Sequence, residues 1–242
     1  MDVVFRPCYR LALLIAVVVC FYHSAFAQDS DDLSADHGRL FASFDFEEQL
    51  RLDWSHLFLQ EPSLPPKDLF FTAESDPLYA AEGERSLKFT LRGGSVSYRT
   101  REHLLIPAEA NANYLARVWV RTEGFNVAGA RIELRIVDED LVTAEQSDTD
   151  PLLTATLAEF ASEAVRTNGE WVLLSVPFDT RGEATQSGGR LRIVPSLQIV
   201  QPDFITPLGA TGLLPLTEDV SGSAWFDGVE LWRMPTIDFY PL

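Results

Sequence analysis

Gly222-Ser-Ala-Trp-Phe-Asp-Gly-Val-Glu-Leu-Trp232 is the stretch on which the reading of this chain turns. Aromatic and aliphatic residues dominate it, no proline interrupts it, a Gly-Ser pair opens it and Pro235 lies just beyond. It therefore reads as a β-strand. Asp227 stands in its middle beside Gly228. An acid inside an apolar strand needs a partner, a solvated strand end or a metal.

Working outward from that strand, the other segments share its character. Asn113 to Arg121 sets Tyr114, Ala116, Val118 and Val120 on one face and Leu115, Arg117, Trp119 and Arg121 on the other, the period of two that a half-buried strand requires. Leu87, Phe89 and Leu91 alternate with polar residues over Ala81 to Arg92, and Gly93-Gly94 turns the chain into Ser95–Tyr98, a partner strand. Arg131 to Val137 is expected to face Ile132, Leu134 and Ile136 inward. Leu40 to Phe46, Asp68 to Thr72, Leu104 to Ile106, Trp171 to Phe178 and Leu191 to Val200 read as further strands. Pro177 and Pro195 mark an edge or a bend in the last two. Leu152 to Val165 is the one candidate helix. About ten short strands with frequent turn signals make the fold class all-β, a single β-sandwich over residues 39–235.

The N-terminus has a different origin. Arg6 and Arg10 precede a short apolar run from Leu11 to Tyr22, and Ala25-Phe26-Ala27 fits a small-residue cleavage site, so residues 1–27 read as a signal peptide. The run is shorter than the roughly 20 residues of a membrane span. Cys20 invites a lipid anchor, but Val19 before it is larger than such a site takes. A secreted or cell-envelope location follows, and a bacterial one is the weaker corollary. Residues 28–38 (QDSDDLSADHG) are acidic and aperiodic, as in a flexible linker. Residues 236–242 form an apolar tail that docks on the domain or leads to a neighbouring domain or protein.

Both cysteines lie in the leader, which leaves the mature chain without disulfides or thiolate metal sites. Removing Arg6, Arg10 and Asp2 with the leader leaves 17 basic against 35 acidic residues, a net charge of −18. That surface repels phosphate backbones and anionic lipid, so neither nucleic acid nor membrane is an expected partner. No HExxH pattern accompanies the mature histidines His37, His56 and His103, and no G-x-S-x-G elbow occurs. Thirty-five acids always allow a pair spaced for glycoside hydrolysis, but no E-x-D-x-E strand pattern is present. No enzymatic role is expected of this domain, while a catalytic domain in a longer parent chain stays open.

The order of the pieces is more specific than any one of them. Phe44-Asp-Phe-Glu-Glu48, Glu82-Gly-Glu-Arg-Ser-Leu-Lys-Phe89, Asn113 to Thr122, the Trp-led Trp171-Val-Leu-Leu174 and the closing Trp225-Phe-Asp-Gly-Val-Glu-Leu231 together resemble the carbohydrate-binding modules of the galactose-binding-like jelly-roll type, found on xylanases and cellulases. The resemblance implies a jelly roll and a carbohydrate partner, a polysaccharide or oligosaccharide. It also implies a structural Ca²⁺ tying the first strand to the last, and the matching positions are Asp45 or Glu47, Ser86 and Asp227. Oxygen ligands suit that ion, and distant ligands would staple a chain without disulfides. The alternative for Asp227 is to accept backbone N–H groups without a metal. Asp148-Thr-Asp150 resembles a fragment of a calcium loop but lacks the remainder.

Sugars bind by stacking on aromatic faces, with charged or amide groups at their hydroxyls. Trp119, flanked by Arg117 and Arg121, fits that role, and Glu133 and Arg135 on the following strand would complete the patch. The alternative is an outward ladder in which Trp119 is covered by a loop or a neighbouring domain. Trp171, Trp225 and Trp232 read as core or sheet-edge residues. The expected function is a secreted, non-catalytic carbohydrate-binding module; the alternative is a structural or protein-interaction sandwich without glycan affinity.

Overall fold

The computed structural model describes residues 38–47, 54–60, 70–101, 104–142, 150–182, 188–201, 204–205, 214–215 and 221–235. The chain divides at Gly38, and Arg39–Leu242 clusters as a compact unit. The signal peptide, most of the linker and the tail lie outside the described residues.

Strands form because the alternating residues cannot otherwise bury one face and solvate the other. They are β1 (Arg39–Phe44), β2 (Trp54–Gln60), β3 (Phe70–Asp76), β4 (Ser86–Arg92), β5 (Ser95–Thr100), β6 (Ile106–Pro107), β7 (Asn113–Glu123), β8 (Gly129–Asp138), β9 (Thr156–Ala161), β10 (Val172–Asp179), β11 (Leu191–Val200), β12 (Phe204–Ile205), β13 (Leu214–Pro215) and β14 (Ser221–Met234). The first sheet runs β10-β7-β14-β4-β3, with β1 also on β14; the second runs β2-β5-β11-β8-β9, with β6 also on β11. All pairings are antiparallel, and β12 pairs only with β13. The chain crosses repeatedly between the two sheets, which makes a jelly-roll sandwich.

The closing strand is the centre of the first sheet. One edge of β14 pairs with β7 along its length, while its other edge meets β4 over Ser221–Phe226 and β1 over Val229–Arg233. The register shifts between Asp227 and Glu230, where Gly228 takes φ +54°. This bulge sits where the partner changes from β4 to β1 and reverses the in–out phase of everything after it.

The core lies between the sheets. Phe89 of the first sheet meets Tyr98 of the second at 5.2 Å between ring centroids, Phe44 meets Trp54 at 5.2 Å, and Phe178 meets Phe160 at 5.8 Å. Leu87, Phe89, Leu91, Ile132, Leu134, Ile136 and Phe226 are fully buried, as their periodicity predicts. A small second cluster (Val137, Leu152, Ala155, Val194) packs beneath a one-turn helix, α1 (Pro151–Thr154).

Two local expectations need correcting. The helix expected over Leu152–Val165 is only that single turn; Thr156–Ala161 is strand β9, because pairing with β8 offers the segment a ladder that its weak helical period cannot match. The Gly93-Gly94 turn does not make a hairpin: β4 and β5 belong to different sheets, so it is a corner. Strand β2 begins at Trp54, whose ring stacks on Tyr98. The prolines behave as expected. Pro177 lies on edge strand β10, and Pro195 falls between the residues of β11 that pair with β6 and those that pair with β5.

Candidate functional site

On β7 the alternation sends Arg117, Trp119 and Arg121 to the outer face of the first sheet, as the sequence requires. The segment joining β3 to β4, residues 77–85, lies against one end of that face. Tyr79 of this segment stacks on Arg121, whose Cζ is 4.0 Å from the Tyr79 centroid and 5.5 Å from that of Trp225. Arg121 also pairs with Glu123. Trp225 is buried on the outer side of the sheet, with Nε1 donating to Asp76 Oδ2 at 2.8 Å. Arg121 is therefore a packing cation, and Trp225 is closed to a ligand.

Beyond the loop the face opens. Trp119 is half-buried and its Nε1 donates to Glu82 Oε1 at 3.0 Å, which fixes the plane of the indole. Gly228 beside it takes the left-handed backbone, at φ +54°, that favours glycine. Trp232 is also half-buried, and its Nε1 donates to Glu230 Oε2 at 2.8 Å. The bulge in β14 turns Glu230 and Trp232 outward, because Val229 and Leu231 take the core positions. Trp232 lies opposite Leu115, four residues along β7 from Trp119, so the two indoles stand roughly 14 Å apart along the strands. Between them Arg117 lies opposite Glu230, with its Nε buried and without a hydrogen-bond partner. Trp232, which reads from sequence as a core or sheet-edge residue like Trp225, is turned outward by the bulge. The available signal was the Asp-Gly pair, a bulge signature.

Glu133 and Arg135 do not complete this patch. β8 belongs to the second sheet, so both residues sit on the opposite outer face of the sandwich. The connection from β7 to β8 crosses between sheets, whereas adjacency in sequence had implied a hairpin. On that far face a polar ladder runs across three strands. Gln198 Oε1 accepts from Arg131 Nε at 2.8 Å, Arg131 pairs with Glu133 at 3.3 Å, and Arg135 lies 2.9 Å from Glu133 and 3.1 Å from Glu159. Glu133 and Arg135 are only 5% and 7% exposed. Two neighbours, Ser196 Oγ and Gln198 Nε2, are buried without hydrogen-bond partners. Such atoms cost about 1–3 kcal/mol each unless water or a ligand meets them.

Of the four positions matched to a calcium site, Glu47, Ser86 and Asp227 all bond to the connection between β3 and β4, and Asp45 does not. Asp45 is exposed and accepts from the Glu47 N–H in its own turn at 3.3 Å. Glu47 Oε1 accepts from the Glu84 and Arg85 N–H groups at 2.8 and 3.3 Å. Ser86 Oγ donates to the Tyr79 carbonyl at 2.5 Å. Asp227 Oδ2 accepts from the Ala81 and Glu82 N–H groups at 2.8 and 3.0 Å, and Oδ1 from Gly228 N–H at 2.8 Å. Burial raises the Asp227 carboxyl above its ordinary range, against the three N–H groups that favour its charge. Glu47 and Asp227 thus each accept backbone N–H groups of the same connection. Among the described residues no three His, Cys, Asp or Glu side chains are placed to hold a metal. Asp150 of the Asp148-Thr-Asp150 fragment caps α1 and pairs with Arg99; residues 148 and 149 lie outside the described residues.

No family model and no curated protein matches this chain. Among solved structures it is similar to the CBM22-1 xylan-binding domain from Paenibacillus barcinonensis Xyn10C, with 12% identity, 84% of this chain and 100% of that one covered, and a TM-score of 0.47. It is also similar to the arabinose-bound MgGH51 α-L-arabinofuranosidase (13% identity, 83% and 27% covered, TM-score 0.49). A third is the CBM22-1–GH10 portion of the Clostridium thermocellum endo-1,4-β-D-xylanase 10B (15% identity, 86% and 30% covered, TM-score 0.42). The chain spans the whole of the first and less than a third of the other two.

Proposed function

We propose that this protein is an exported, non-catalytic β-sandwich that binds carbohydrate on the outer face of its first sheet, through Trp119, Arg117 and Trp232. One observation carries the reading: two half-exposed indoles, each fixed in plane by a hydrogen bond to an acid, flank an arginine whose Nε lacks a partner. Indole faces held in place lose little rotamer freedom on binding, so stacking on a sugar ring costs little entropy. A spacing of roughly 14 Å suits an oligosaccharide, touched at two rings with a hydroxyl between them near Arg117. No acid–base chemistry is required.

A second reading keeps the ligand class and moves the site. Ser196 Oγ and Gln198 Nε2, unpartnered beside Glu133 and Arg135, favour a polar ligand on the opposite face. The described residues of that face supply no stacking platform, which ranks it second.

The test is binding of the full chain to a panel of neutral soluble oligosaccharides and insoluble polysaccharides. Trp119→Ala is expected to weaken binding about tenfold or more, which corresponds to about 1.4 kcal/mol, while Gln198→Leu leaves it unchanged. The reverse pattern transfers the site to the second sheet. Absence of binding by a folded protein to every glycan supports a structural or protein-interaction module.

A further inference from the structure

Glu47 follows the first strand, Asp227 lies in the last, and both reach the same connection between β3 and β4. Asp227 accepts the N–H groups of Ala81 and Glu82, and Glu47 accepts those of Glu84 and Arg85. Gly83 divides the two pairs. Its φ of +65° turns the chain so that each pair of amides points at its own carboxylate, and a Cβ there would fall 1.9 Å from Glu47 Oε1. Only glycine meets both conditions. The geometry that brings Glu47 to this place begins one residue earlier, where Phe46 takes φ +57° and its ring packs 6.1 Å from Trp54.

The rest of the connection is held from both ends. Asp76 Oδ1 accepts from Leu78 N–H at 2.8 Å, Arg85 Nη1 donates to Ser75 Oγ at 3.2 Å, and Ser86 Oγ holds the Tyr79 carbonyl. Glu82 in turn fixes Trp119. Two amide hydrogens thus occupy Asp227 Oδ2 and two occupy Glu47 Oε1, and the side chain of Ser86 presents its hydrogen to a carbonyl.

We infer that the amides of Ala81, Glu82, Glu84 and Arg85 form a metal-free staple, which ties the connection between β3 and β4 to Glu47, just after the first strand, and to Asp227 in the last. Carboxylates accepting backbone N–H groups make strong, charge-assisted hydrogen bonds. The staple works at any calcium concentration and depends on Gly83, Glu47 and Asp227 together.

The experiment compares the full chain after EDTA treatment and in excess calcium chloride, by thermal melting and by amide hydrogen exchange. The two melts are expected to coincide, and the four amides to be protected in EDTA. Glu47→Ala is expected to release Glu84 and Arg85 while Ala81 and Glu82 stay protected; that variant carries the test even if Asp227→Ala fails to fold. A calcium-dependent rise of roughly 5–10 °C, the size expected at a hundredfold excess over the dissociation constant, overturns the inference if Glu47→Gln abolishes it. A rise that survives Glu47→Gln arises elsewhere, and the amides in EDTA then decide. Unprotected exchange of the four amides in EDTA overturns it outright.

Discussion

Trp119 and Trp225 lie on neighbouring strands of one outer face, yet a few contacts give them opposite accessibility. Trp225 is closed by Tyr79, Arg121, Lys88 and Asp76, whereas Trp119 is half-buried and held at its N–H edge by Glu82. The same distinction separates the tyrosines. Tyr98 and Tyr114 are buried between the sheets, and burial is the main cause that raises the pKa of both hydroxyls. The native state therefore keeps these protons at pH values where an unfolded tyrosine, near about 10, has lost them. Stability falls as pH rises from about 10 through the raised native values, because there the native state binds more protons than the unfolded one. In an absorbance titration at 295 nm, two of the six tyrosines are expected to ionise late, and their ionisation to accompany unfolding. Simultaneous titration of all tyrosines near the free value would contradict this.

At the scale of elements, β14 organises the first sheet and Phe226 anchors it. The ring is fully buried and lies 5.0 Å from Phe89. Phe226→Ala is expected to cost about 3–5 kcal/mol, measured as a lowered midpoint in urea with an unchanged slope. A loss under about 1 kcal/mol would mean that the core between β4 and β14 is not packed as described. Much of this element was legible in sequence: the apolar content of Gly222–Trp232 announced a strand, and alternation assigned Tyr114 to Arg121 of β7 to their observed faces. What alternation cannot carry is the count across a bulge, so Trp232 was assigned to core or edge. Nor does it reveal which sheet a strand joins. A short connection serves equally as a hairpin or a corner, and that placed Glu133 and Arg135 beside Trp119 when they lie on the far side of the sandwich. For Glu47 and Asp227 the sequence left open what their oxygens bond. The sequence showed two acids beside the right strands, but only the connection of residues 77–85, folded back on them, shows what their oxygens hold.

At the scale of the whole molecule, the acidic surface and the proposed ligand fit together. A chain with 36 acidic and 19 basic residues is poorly suited to phosphate or sulfate polymers, and a neutral glycan carries no charge for that field to repel. Recognition then rests on ring faces and local hydrogen bonds, and the sandwich serves as a rigid frame for them. The five tryptophans allow this to be read directly, since each contributes one indole N–H resonance. The decisive measurement is a nitrogen–proton correlation spectrum of the labelled protein, titrated with a soluble oligosaccharide that the binding panel selects. The account predicts that the Trp119 and Trp232 resonances move together and saturate, while those of buried Trp54 and Trp225 stay in place. Binding that saturates with both the Trp119 and Trp232 resonances unmoved would contradict it.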